Sequence, residues 1–126
     1  SGCGDEQGED DGKGFNLNLP LPELCTSAQY LAALEKALQR IRRYRPTTLV
    51  LCLGLDTAKG DPTGTWMHKV AGLRRTGRAV GSLRRPGVVG EEGGDRTSCI
   101  GVGSGGVLQG LLAGMEQSSV VKRGKP

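Results

Sequence analysis

Asp56 is the side chain whose type and position best suit chemistry. The stretch Leu49 to Pro62 reads Leu-Val-Leu-Cys-Leu-Gly-Leu-Asp-Thr-Ala-Lys-Gly-Asp-Pro. Its continuous apolar run predicts a strand buried on both faces, the kind found in parallel sheets. The run breaks at Gly54, and one apolar residue later a lone carboxylate stands ahead of a Gly/Pro turn. Open α/β sheets bind ligands just beyond the carboxyl ends of their strands. Asp56 is therefore the first candidate for an active site; the alternative is a cap or turn acid beyond the strand.

The other reactive residues are poorly placed for catalysis. Asp61 lies in Gly-Asp-Pro, where Asp before Pro favours a turn. His68 is the single histidine; near the start of a helical pattern it reads as solvent-facing, and no Ser-His-Asp arrangement assembles around it. Gly101 to Gly106 contains a G-x-G-x-x-G string, but neither a strand directly before it nor an acid about 20 residues beyond it completes a dinucleotide fingerprint. A flexible loop is expected there. The four cysteines, Cys3, Cys25, Cys52 and Cys99, form no Cys-x-x-Cys pair. That spacing fits neither a zinc knuckle nor a disulfide framework and points to a reduced, intracellular, most simply cytoplasmic protein. Cys52 is expected to sit in the strand as a small buried hydrophobe.

The elements that must position Asp56 follow from periodicity. Residues 1–14 are acidic and glycine-rich and predict a loop or disordered segment. Phe15 to Leu19 alternates apolar and polar before Pro20 and Pro22, which predicts a strand. Thr26 and Gln29 have capping-box spacing ahead of the stripe Leu31, Leu34, Leu38 and Ile41, which predicts a helix that Pro46 stops. A strand over 47–53 comes next. A helical pattern follows near 66–83, weakened by Gly72, Gly77 and Gly81. A short strand over 87–91, a glycine-rich bend and a short final helix from Val107 to Met115 complete the reading, with 117–126 a basic flexible tail. Strands and helices alternate, which implies an α/β fold with a parallel sheet. Three strands make a thin sheet, and the expectation is a fragment of an open, mostly parallel sheet with flanking helices.

Composition bounds the rest. One modest domain fits in 126 residues, with a core of Leu, Val and Ala because aromatics are only 3% of the chain. Glycine is abundant, at 22 residues. The chain opens on Ser1 without an apolar leader or a long apolar run, which predicts a non-membrane piece of something longer. The net charge of +4 hides an acidic start and a basic second half rich in arginine. Arg74, Arg75 and Arg78 fall on the polar side of a helix with no interleaved aromatics for base stacking, so nucleic-acid binding is not expected. Trp66 and Tyr44 are expected in the core.

Several motifs together resemble the histone deacetylase superfamily, in its bacterial-type deacetylase and acetylpolyamine amidohydrolase branch. They are Gly12-Lys-Gly-Phe-Asn-Leu-Asn-Leu-Pro-Leu-Pro22, the helix from Tyr30 to Glu35, Leu53-Gly-Leu-Asp-Thr57 with Gly60-Asp-Pro62, and Glu92-Gly-Gly94. The similarity runs from about residue 8 to 116, so 15–116 is expected to be the C-terminal part of such an α/β domain. The resemblance implies a zinc ion held by Asp, His and Asp, a histidine pair that moves protons and a tyrosine that polarises the amide carbonyl. By position Asp56 matches the second metal-binding Asp, and Gly93 and Gly94 match the glycines before the tyrosine. Two departures stand out. Asp95 occupies the tyrosine position, and the histidine pair and Asp-x-His motif are absent from these residues.

The resulting expectation is a zinc-dependent deacetylase acting on acetyl-lysine or an acetylpolyamine, of which this chain alone is an incomplete portion without metal or activity. The alternative is a catalytically dead remnant or interaction module of the same fold, which Asp95 favours. The sequence leaves the acyl group, the amine carrier and the oligomeric state open.

Overall fold

The first helix forms where its signals say it should. In the computed structural model, which describes residues 2–55, 70–91 and 97–123, α1 spans Ser27–Tyr44. The Gln29 amide donates to the Thr26 hydroxyl at 3.3 Å, and the Gln29 side chain accepts from the Thr26 amide at 2.9 Å. That reciprocal capping satisfies two amide donors that the first turn leaves open. The helix ends on Arg45, which takes a left-handed backbone with φ of 54°, before Pro46.

Strand β1 spans Leu49–Leu53, helix α2 Val70–Gly81, strand β2 Gly87–Glu91 and helix α3 Thr97–Arg123. The strands pair in parallel, with Leu49 opposite Gly87 and Leu53 opposite Glu91. A two-stranded parallel sheet with flanking helices thus realises the α/β expectation.

Burial along β1 alternates. Leu49, Leu51 and Leu53 are half-buried, whereas Val50 is 73% exposed and Cys52 is exposed. Leu51 and Leu53 pack towards a core of Leu55, Leu73 and Val107, with Leu111 beside it. The expected burial on both faces, and the buried Cys52, are therefore wrong for this chain. The helices α2 and α3 cover one face only, and a continuous apolar run does not reveal which of its residues will find a neighbour.

Glycine accounts for the seam between α2 and α3. A Cβ built on Gly77 or Gly81 would lie 2.9 Å from the carbonyl carbon of Val107 or Leu111 respectively. On the other side, a Cβ on Gly110 would come 2.8 Å from the Arg78 nitrogen, and one on Gly114 would come 3.0 Å from the Ser82 nitrogen. Both helices offer glycine four residues apart, so backbone meets backbone. Glycines that weaken an isolated helix create this contact. The short final helix is corrected too: α3 begins at Thr97 and absorbs the glycine string expected to bend or loop.

Phe15 to Leu19 is not a strand. No described strand lies beside it, and its alternate polar residues bind the N-terminal segment instead. The Asn16 side-chain amide donates to the Glu6 carbonyl at 2.9 Å, and that of Asn18 donates to the Cys3 carbonyl at 2.9 Å. Gly14, with φ of 86°, closes this segment onto α1. Its amide donates to the Gln7 carbonyl and its carbonyl accepts from Arg40, both at 2.6 Å. Tyr44 is 63% exposed, set edge-on against Phe15 rather than in the core.

Candidate functional site

Parallel pairing decides where the candidate residues leave the fold. Because Leu53 faces Glu91 at the last rung, both strands release their chains at the same end of the sheet. Asp56 follows three residues after Leu53, and Asp95 four residues after Glu91. Asp56 and Asp95 themselves lie outside the described residues, as do Asp61, His68, Trp66 and Glu92 to Gly94.

The residue before Asp56 is well fixed. Leu55 is 1% exposed, in the core with Leu73 and Val107. A Cβ on Gly103 would sit 3.1 Å from one Leu55 methyl. The glycine at 103 therefore leaves room for the side chain that fixes the residue before Asp56. This is the use the structure makes of the Gly101–Gly106 string. Amides inside a helix donate to carbonyls one turn back, and only the first turn has free ones. Gly103 to Gly106 lie beyond the first turn of α3, so the string does not form a phosphate cradle.

No group of three or more His, Cys, Asp or Glu side chains converges among the described residues. The donors present there do not make a zinc site. Cys25 is buried, while Cys3 and Cys52 are exposed. Arg74, Arg75 and Arg78 are exposed as the helix reading expects, and Arg74 donates to the Gln109 side chain at 2.8 Å. No described helix is long and apolar enough to cross a membrane.

The periodicity reading passed over one titratable group. Tyr30 lies on the same stripe as Leu34, Leu38 and Ile41, so the signal was present. Burial raises its phenol pKa above the ordinary 10.0, a hydrogen bond with Thr76 opposes the rise, and Cys25 adds to it. Thr76 is itself buried and donates to the Gly72 carbonyl at 3.1 Å. The hydrogen bond between Tyr30 and Thr76 thus links α1 to α2.

A cavity of about 210 Å³ opens at the opposite end of the strands, lined by Leu49, Leu51, Val80, Leu111 and Met115 with Arg85 at its rim. Its wall is apolar and carries no acid, thiol or imidazole. The groups that could do chemistry therefore belong to the other end.

Comparison with known proteins agrees on one kinship. Residues 1–110 match the histone deacetylase domain. Over 94 residues the chain is 38% identical to an acetylpolyamine amidohydrolase of Burkholderia pseudomallei, covering 75% of this chain and 28% of that protein. It is also 38% identical over 109 residues to acetylpolyamine amidohydrolase 1 of Pseudomonas aeruginosa, covering 86% of this chain and 32% of that one. The crystal structure of an acetylpolyamine aminohydrolase from Burkholderia pseudomallei superposes with a TM-score of 0.86 at 33% identity, over 90% of this chain and 33% of that chain. The chain spans about a third of the length of these relatives.

Proposed function

This chain belongs to the histone deacetylase family, and from that membership we propose that it is part of a zinc-dependent deacetylase that hydrolyses an acetylated amine. The two relatives named as acetylpolyamine amidohydrolases favour a polyamine as the carrier over a lysine side chain. What supports the reading is the parallel register that brings β1 and β2 out at one end, with the buried Leu55 immediately before Asp56.

Asp56 is the metal ligand in this proposal. Zinc, when bound, supplies a Lewis acid that polarises an amide carbonyl and lowers the pKa of a water. Catalytic zinc takes three protein ligands and keeps one position open. Asp56 provides one of them, so the 126 residues alone are proposed to carry neither zinc nor activity. The role proposed for this chain's own residues is to hold that carboxylate: Leu55 fixes the position next to it in the chain, and Gly103 gives Leu55 its space.

Asp95 is the weak point of the reading. A neutral donor facing a developing oxyanion is worth roughly 10²–10³ in rate, and a carboxylate there repels the same charge. That residue sustains the second reading, an inactive member of the fold that serves in binding.

A chimera separates the two. The Burkholderia amidohydrolase with its matched third replaced by this chain is expected to bind zinc and to deacetylate an acetylated polyamine weakly. Asp95→Tyr is expected to raise the rate about 10² or more, and Asp56→Ala to abolish zinc binding. Zinc content unchanged by Asp56→Ala would falsify the ligand assignment. Bound zinc with no gain from Asp95→Tyr favours the inactive reading.

A further inference from the structure

The cavity at the amino-terminal end of the strands has no part in the chemistry proposed above. Its volume is about 210 Å³, and Leu49 and Leu51 of β1, Val80 of α2, and Leu111 and Met115 of α3 make its wall. An apolar cavity of about 150 Å³ is enough to stay dry and take up a benzene ring, so this one has room for an apolar ligand. At roughly 30 Å³ for each water-sized group, about seven carbons fill it. The elements around it are fixed. Leu49 and Leu51 are set by the pairing of β1 with β2. Val80 and Leu111 border the glycine seam, where a Cβ on Gly81 would already lie 2.9 Å from the Leu111 carbonyl carbon. That contact leaves α2 and α3 no closer approach, so the wall they form keeps its shape.

Charge decides what kind of apolar ligand fits. Among the described residues that line the cavity, Arg85 alone is charged, and it makes no hydrogen bond or ion pair with a described residue. From Val70 to Gly90 the sequence holds Arg74, Arg75, Arg78, Arg84 and Arg85 and no Asp or Glu, so the mouth of the cavity stands in a positive field. The carboxyl end of α2 would repel an anion through its free carbonyls, but these are already satisfied. The amides of Ser82, Leu83 and Arg84 donate to the carbonyls of Arg78, Val80 and Gly81 at 3.1, 3.0 and 3.0 Å. We propose that the cavity binds an aliphatic monocarboxylate of about eight carbons, its chain against the apolar wall and its carboxylate on the Arg85 guanidinium. A guanidinium donates two parallel hydrogen bonds to such a group. An alkylamine meets like charge there, and an alcohol gains the apolar contact alone.

The site lies at the other end of the strands from the one that leads to Asp56, so it depends neither on zinc nor on which amine is deacetylated. It is tested by titrating the 126-residue chain with octanoate, below the concentration at which octanoate forms micelles, in an isothermal titration calorimeter. The methyl resonance of Met115, identified by its loss in Met115→Leu, is followed in parallel. One octanoate is expected to bind per chain, with a saturable shift of that methyl. Affinity is expected to fall about fourfold for each methylene removed between octanoate and butanoate. Octan-1-ol is expected to bind more weakly than octanoate, and octylamine more weakly still. Arg85→Gln is expected to weaken octanoate about tenfold or more and to leave octan-1-ol unchanged. Arg75→Gln removes the same charge from α2 outside the cavity and is expected to change neither. Both arginines are exposed, so the circular dichroism of each variant is expected to match that of the original chain.

A Met115 methyl that does not shift saturably would overturn the proposal. So would octan-1-ol or octylamine binding as tightly as octanoate, a comparison that needs no variant. Equal weakening by Arg75→Gln and Arg85→Gln would overturn it too, because the interaction would then reduce to the general positive charge of α2. Zinc content and hydrolysis are not read in any arm, so failure of the deacetylase reading and failure of this one give different results.

Discussion

The two faces of β1 come from one apolar run and meet opposite fates. On one side Leu49, Leu51 and Leu53 turn towards α2 and α3, whose glycines bring their backbones into direct contact. On the other side Val50 and Cys52 stand in the open. Both sets of side chains are apolar, so hydrophobicity does not separate them. What separates them is whether a described element packs against them. The packed side is a structure this chain builds by itself. The bare side meets no described element.

The comparison breaks most forcefully at the helix seam. Gly77→Leu or Gly110→Leu would drive a side chain into the backbone of the facing helix, where even a Cβ finds atoms at 2.8–2.9 Å. Overpacking typically costs about 1–3 kcal/mol and sometimes more, and here neither backbone has room to yield. The expected outcome is loss of the cooperative unfolding transition followed by circular dichroism. A variant that unfolds like the original chain would show that α2 and α3 do not meet through these glycines.

Leu55→Ala is the next largest. Leu55 is 1% exposed between Leu73 and Val107, and truncating such a residue costs about 2–5 kcal/mol. If Asp56 is the ligand proposed above, the same substitution in the chimera is expected to weaken zinc binding as well, because Leu55 is its fixed neighbour in the chain. Urea denaturation and zinc titration measure the two effects separately.

The sequence made local features legible and left their neighbours hidden. The capping box of Thr26 and Gln29, the stripe of α1, the parallel strands and the position of Asp56 beyond β1 all follow from short-range pattern. The α2–α3 seam does not. Gly77 and Gly81 read as helix weaknesses because propensity counts the entropy of glycine and not the backbone that approaches it, and nothing in the pattern pairs them with Gly110 and Gly114. Phe15 to Leu19 alternates like a strand, yet Asn16 and Asn18 direct their amides to Glu6 and Cys3, which periodicity cannot see. Arg45 and Arg84 close helical turns with positive φ, where a glycine would have been the usual signal.

A smaller effect tests the junction of α1 with the packed side. The phenol of Tyr30 is raised above 10.0 chiefly by burial. Its neutral form is favoured in the folded chain, so this contribution to stability is fully present below pH 10.0 and is lost as pH rises through the higher folded value. Tyr30→Phe is expected to flatten the alkaline fall in stability, while losing about 1 kcal/mol at neutral pH with the hydrogen bond to Thr76. An unchanged alkaline slope, measured by urea midpoints at several pH values, would show that Tyr30 is equally solvated in both states.

The smallest expected effect is the most telling for the bare face. Val50→Lys removes an apolar side chain from the centre of β1, a place where a buried valine would not tolerate a charge. Because Val50 is 73% exposed, the ammonium stays in water and the four-carbon stem lies along the strand. Surface substitutions of this kind change stability by about 0.5 kcal/mol or less. Val50→Lys is therefore expected to leave the urea midpoint of the chain nearly unmoved, while Leu51→Lys, one residue away and half-buried on the core side, is expected to unfold it. Equal damage from the two substitutions would mean that both faces are buried within this chain, and the contrast between them would disappear.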